Sequence, residues 1–127
     1  MVTDTDQQWP RTCVQRLAGD IGERNVFRPR ALQAAAEFIG AEWRAQGYEV
    51  IPQVYDCGRL PCANLEVTCR GSHSPDAIVL VGAHYDSVVG SPGADDNASG
   101  VAALLGVSRH LAETAPRLTV RFCRLRE

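Results

Sequence analysis

His84 and Asp86 stand two residues apart at the end of an apolar run, Val79-Leu80-Val81-Gly82-Ala83, and the pair Asp95-Asp96 follows inside a stretch bounded by Gly93 and Gly100. A neutral imidazole and a carboxylate are both zinc ligands, and one carboxylate can bridge two cations by giving an oxygen to each. Metal-assisted hydrolysis is the chemistry such a set would perform. An isolated strand-end histidine is more often hydrogen-bonded to a loop than bound to metal. Asp95-Asp96-Asn97 read alone is a helix-capping cluster. The nearness of His84, Asp86 and Asp96 reverses that preference without excluding capping.

Residues two apart on a strand share a face, so Asp86 can reach the ring of His84. A carboxylate there accepts the second ring N–H of a ligating histidine and fixes its tautomer and orientation. Gly93 and Gly100 suit a backbone that wraps closely around a cation, and equally suit an ordinary turn and an ordinary helix contact. His73, between serines in a polar loop, reads as solvated, and His110 as exposed near a helix C-terminus, where positive charge is favourable. Neither is assigned to the metal. Tyr85 reads as a packing residue, and Arg24 with Asn25 as a loop anchor.

The elements that must position this set follow from apolar periodicity. Trp9, Cys13, Val14 and Leu17 predict a helix over 9–18, closed by Gly19 and Gly22. Leu32, Ala35, Ala36, Ile39 and Trp43 predict a second helix from Pro29 to a glycine C-cap at Gly47. The period then changes, with a strand predicted near Tyr48 to Val54 and its partner over 64–69. Ala77 to Gly82 is a continuous apolar run of the kind that fills a central strand covered on both faces. Asn97 or Ser99 caps a helix running to about Glu113, and Leu118 to Phe122 alternates as a further strand. Helices and strands therefore interleave as in an α/β layered domain.

The chain has 127 residues, 45% of them hydrophobic, enough for one core and not for a second domain of ordinary size. Its formal charge of -2 comes from intermixed basic and acidic residues, so nucleic acid and membrane surfaces are not expected partners. Residues 1–11 are expected to be a flexible lead and 12–127 the domain. The polar, acidic start lacks the features of a secretory signal, which predicts a cytoplasmic location. Of five cysteines, Cys57 and Cys62 are near enough for a bridge under oxidising conditions, while idle thiols are the expectation in a reducing compartment.

GAHYDSV (Gly82 to Val88) followed by SPGADDNASGVAALL (Ser91 to Leu105) closely resembles the zinc aminopeptidases of peptidase family M28. Ile21 to Asn25, the helix through Trp43, Gly47 to Val50 and Asn64-Leu65 are also similar, so the resemblance covers roughly residues 12 to 122. It implies a three-layer helix/sheet/helix fold with a mixed central sheet. It also implies two zinc ions in a complete site, with His84 on one, Asp96 bridging both and Asp86 orienting His84; Asp95 precedes the bridge and is not itself a ligand. The substrate implied is a peptide or protein N-terminus. Glutaminyl-cyclase-like acyl transfer, for which one zinc suffices, and a peptidase-like interaction domain without metal are the competing readings.

The resemblance breaks after Phe122. Members of the family continue into a segment like F-x-A-F-x-x-E-E, whose glutamates are the general base and a zinc ligand, whereas this chain reads Cys123-Arg124-Leu125-Arg126-Glu127, with Glu127 out of register with either glutamate. Suitable codons for that tail, read one base later, give Ala-Ala-Phe-Ala and restore the family pattern. A truncated or frameshifted reading frame is therefore expected, with weak or absent zinc binding and no appreciable activity in this chain.

Overall fold

A computed structural model describes residues 4–57 and 60–125. Helix α1 (Asp4–Val14) continues as a π-helical stretch, Gln15–Ile21, which ends at Gly22 with φ +80° and its N–H on Leu17 O at 2.9 Å. The helix starts inside the segment expected to be a flexible lead and runs through Gly19, where a stop was predicted. Packing explains both differences: α1 lies along α3, with Trp9 and Val14 half-buried against the core. Helix α2 (Pro29–Ala45) opens on proline, which suits a first-turn position with no N–H to satisfy, and is followed by Gly47 at φ +96°. Its predicted stripe is buried at Leu32, Ala35, Ile39 and Trp43.

Four strands follow: β1 (Ile51–Cys57), β2 (Leu60–Cys69), β3 (Ser74–His84) and, after helix α3 (Ser99–Glu113), β4 (Leu118–Leu125). The sheet order is β1-β2-β4-β3, with β1, β2 and β4 antiparallel in turn and β3 parallel to β4. This is the mixed sheet of an α/β fold, and the parallel pair is joined through α3 as a β-α-β crossover. Tyr48 and Val50 precede β1 and turn into the core, where the Tyr48 hydroxyl donates to Ser108 O at 2.6 Å.

One apolar core joins Leu65, Val67 and Phe122 of the sheet to Leu32, Ile39 and Trp43 of α2 and to Val101, Leu104 and Leu105 of α3. Fully burying side chains of this size stabilises by roughly 1.5–3 kcal/mol each. Burial also pushes the Cys13 thiol up to about 12, which keeps it an uncharged core group at neutral pH. Among the described residues this core lies on one face of the sheet, and a second helical layer is not seen.

The run Ala77 to Gly82 differs from its expected place. β3 is an edge strand of the described sheet, and Leu80 is 66% exposed. Composition marks a strand as apolar, but which neighbours cover it depends on long-range pairing, and among the described residues only β4 pairs with it. No helix among the described residues is long and apolar enough to cross a membrane. The Cys57 side chain and Glu127 lie outside the described residues, and with them the considered Cys57–Cys62 bridge.

Candidate metal centre

His84 is the last residue of β3, and Asp96 sits at a kink in the segment Ala94–Ala98 that leads into α3, its own backbone non-helical at φ -122° and ψ 85°. Both therefore lie beyond the carboxyl end of a strand in a parallel pair, the place where open α/β sheets hold their ligands. His84 Nε2 is 2.8 Å from Asp96 Oδ1. On the other side of the ring, Nδ1 is 3.3 Å from Asp86 Oδ1 and 3.2 Å from the Asp86 carbonyl oxygen. The three residues singled out in the sequence thus form one cluster.

The hydrogen-bond chemistry of the cluster is specific. Both ring nitrogens of His84 face oxygen acceptors, Asp96 at Nε2 and Asp86 at Nδ1, so a neutral ring donates on one side and presents a lone pair on the other. With the proton on Nδ1, Nε2 is the nitrogen left to ligate a cation beside the Asp96 carboxylate. A nitrogen and a carboxylate oxygen are suitable zinc donors, so the residues present fit the ion in kind. They fall short in number, because among the described residues no group of three or more His, Cys, Asp or Glu side chains is arranged so that it could hold one metal ion. The Asp96 side chain is 78% exposed, against 21% for His84, so the pair opens toward solvent on the aspartate side.

Asp95 is exposed, and its carbonyl accepts from Ser99 Oγ at 2.9 Å. Asn97 Oδ1 accepts the Gly100 N–H at 3.2 Å, so the acidic stretch also closes the first turn of α3. The Asp96-Asn97 peptide is cis. His73 and His110 are exposed, and His73 Nδ1 is 3.0 Å from Ser72 Oγ. Tyr85 is buried and its hydroxyl donates to Ala63 O at 2.8 Å, a packing role.

Gly93 precedes Asp96 at φ +62°, and a Cβ there would lie 2.7 Å from both the Asp96 carbonyl oxygen and Ser87 Cβ. The glycine is required here by conformation and by space. Gly93→Ala is expected to lower stability by about 1–3 kcal/mol, measured as a reduced urea midpoint, because backbone must move to admit the methyl group. Sequence reasoning missed the part of Ser87, which is buried and exchanges hydrogen bonds with the Arg24 backbone: Ser87 N to Arg24 O at 2.7 Å, and Arg24 N to Ser87 Oγ at 2.9 Å. A serine after an aspartate carries no local signal of such a partner.

Comparison with known proteins gives first the class. A probable zinc metalloprotease of Pyricularia oryzae is 37% identical over 140 residues, covering 88% of this chain and 27% of that protein. The vacuolar membrane protease of Candida albicans (strain WO-1) is 48% identical over 59 residues, 46% of this chain and 7% of that protein. Residues 64–126 match the model of peptidase family M28, and the chain belongs to that family.

A leucine aminopeptidase precursor from Bacteroides thetaiotaomicron superposes with a TM-score of 0.81 at 22% identity, over 99% of this chain and 48% of that one. A glutaminyl cyclase from the same organism gives the same TM-score, identity and coverage. These two likenesses establish the fold, and the chain spans about half the length of those structures.

Proposed function

We propose that this chain carries part of the active site of a zinc-dependent exopeptidase of the aminopeptidase type, acting on the N-terminal bond of peptides or proteins. In this reading residues 12–127 form the N-terminal portion of the catalytic domain. His84 ligates one zinc through Nε2, Asp96 bridges two, and Asp86 holds the ring in the tautomer that leaves Nε2 free to ligate. The carrying observation is the 2.8 Å approach of His84 Nε2 to Asp96 Oδ1 with Nδ1 already engaged by Asp86. Bound zinc supplies a water acidified to about pKa 7 as nucleophile at neutral pH.

His84 and Asp96 are two protein ligands where a catalytic zinc ordinarily has three. The 127-residue chain by itself is therefore expected to bind zinc weakly and to release no appreciable amino acid from aminoacyl p-nitroanilides with zinc added. Zinc-dependent turnover by the purified chain would overturn that expectation. Asp86→Asn should weaken zinc binding roughly 10–100-fold, read by competition with a chromophoric chelator, and an unchanged affinity removes Asp86 from its orienting role.

The glutaminyl cyclase of equal structural likeness favours a second reading, intramolecular acyl transfer on N-terminal glutamine at a single zinc. Metal content separates the readings in a complete site: two zinc ions support the peptidase, one supports the cyclase, and none supports an interaction domain. Release of ammonia rather than a free amino acid from a glutaminyl peptide would move the assignment to the cyclase.

A further inference from the structure

We propose that Arg24 is the positioning residue of the candidate metal centre, a rigid clamp that sets how far His84 lies from Asp96. Arg24 sits in the loop before α2, 0% exposed. Its Nε donates to Tyr85 O at 2.8 Å, Nη1 is shared among Pro92 O at 2.5 Å, Gly22 O at 3.0 Å and Leu17 O at 3.1 Å, and Nη2 donates to Gly93 O at 3.2 Å. Every one of these acceptors is a backbone carbonyl. Tyr85 follows His84 directly, and Pro92 with Gly93 leads directly into the segment that bears Asp96. One guanidinium therefore grips both flanks of the loop between the two candidate ligands.

At the tip of that loop Val88 is 67% and Val89 62% exposed, and the turn is closed by Ser91 N on Val88 O at 3.1 Å and Gly93 N on Ser91 Oγ at 3.0 Å. The Ser87 pair of hydrogen bonds with the Arg24 backbone adds a third fixed point, and Glu23 Oε1 accepts the Gly90 N–H. Gly93 O accepts from Arg24 and also from Ala98 N at 2.9 Å, so the clamp continues into the turn that carries Asp96. A guanidinium is planar, with its donors in a fixed fork, and this geometry transmits position between two chain segments in a way that a flexible ammonium cannot. Lysine keeps the charge but loses the fork.

The clamp acts on the His84–Asp96 contact itself; only its consequence for catalysis rests on the zinc reading above. The experiment uses the ¹⁵N-labelled 127-residue chain and reads the His84 ring nitrogens by NMR. In the parent chain Asp96→Asn should shift the His84 Nε2 resonance strongly, because the two side chains are in contact. In Arg24→Lys and in Arg24→Met the same Asp96→Asn substitution should shift it several-fold less, while the Trp43 indole N–H, bonded to Ser108 Oγ at 3.1 Å, keeps its resonance. An equally large His84 shift in either variant would overturn the proposal. So would loss of the Trp43 signal position in both variants, since Arg24 would then serve the core as a whole. Zinc chloride titrated to high concentration into the parent chain tests the metal reading separately: a His84 ring that shifts only at high zinc fits a two-ligand site, and the clamp stands whether or not the ring moves.

Discussion

Replacing Arg124 with methionine is expected to stabilise the fold by about 1–4 kcal/mol, read at pH 7 as a higher urea midpoint with an unchanged m-value. Arg124 is 0% exposed, its Nε reaches Ala83 O at 3.4 Å, and among the described residues neither Nη1 nor Nη2 has a hydrogen-bond partner. The guanidinium lies 5.3 Å from the centre of the Tyr85 ring, a cation–π contact too weak to offset the loss of hydration. Among the described residues the ionisable groups that bear on it are Tyr85, Cys13, Cys123 and the like-charged Arg24, none of them a carboxylate. Burial drives its pKa down to about 9.

The sign of the pH dependence follows. An unfolded guanidinium holds its proton beyond pH 12, so above about pH 9 the native state sheds a proton that the unfolded state keeps, and this group's contribution to stability rises with pH. Below pH 9 the destabilisation is present in full. The gap between Arg124→Met and the parent chain is therefore widest at neutral pH and narrows as pH rises past about 9. A variant less stable than the parent at pH 7 would show that the guanidinium finds compensation in the core.

Trp43→Ala is expected to cost about 3–5 kcal/mol, a large share of the stability of a small domain whose total is roughly 5–15 kcal/mol. Trp43 is fully buried on α2, and its indole N–H donates to Ser108 Oγ of α3 at 3.1 Å. Ser108 Oγ is in turn 2.7 Å from Gln46 Oε1, so one side chain both fills the space between the two helices and ties them together. Trp43→Phe keeps much of the volume and loses the hydrogen bond, with an expected cost nearer 1 kcal/mol. Thermal and urea unfolding of both variants checks the order. A cost below about 1.5 kcal/mol for the alanine variant would mean that the helices collapse into the space and that the contact is replaceable.

Much of this protein was legible locally. The stripe through Trp43, the glycine stop at Gly47, the alternation within β4 and the abrupt change from apolar strand to His84-Tyr85-Asp86 are patterns local in the chain, and their periods follow from helix and strand geometry alone. The strand at Tyr48 was placed too early because Tyr48 and Val50 are apolar for the core's sake rather than the sheet's. Helix α1 begins earlier than its apolar period predicts because its first turn is polar in composition and carries no apolar stripe to read.

What the sequence determined by itself was the kinds of element, their order, the family pattern from Gly82 to Leu105, and a histidine and carboxylates suited to a cation. The tertiary structure alone decided that β3 stands at an edge of the described sheet, that His84 Nε2 meets Asp96 Oδ1 across a loop, that Arg24 grips both ends of that loop, and that Arg124, two residues past the point where the family pattern breaks, is buried with no hydrogen-bond partner for Nη1 or Nη2 among the described residues. Periodicity reports which face of an element is apolar, whereas these four outcomes depend on pairings between residues far apart in the chain, which exist only once the sheet and its helices have closed on one another.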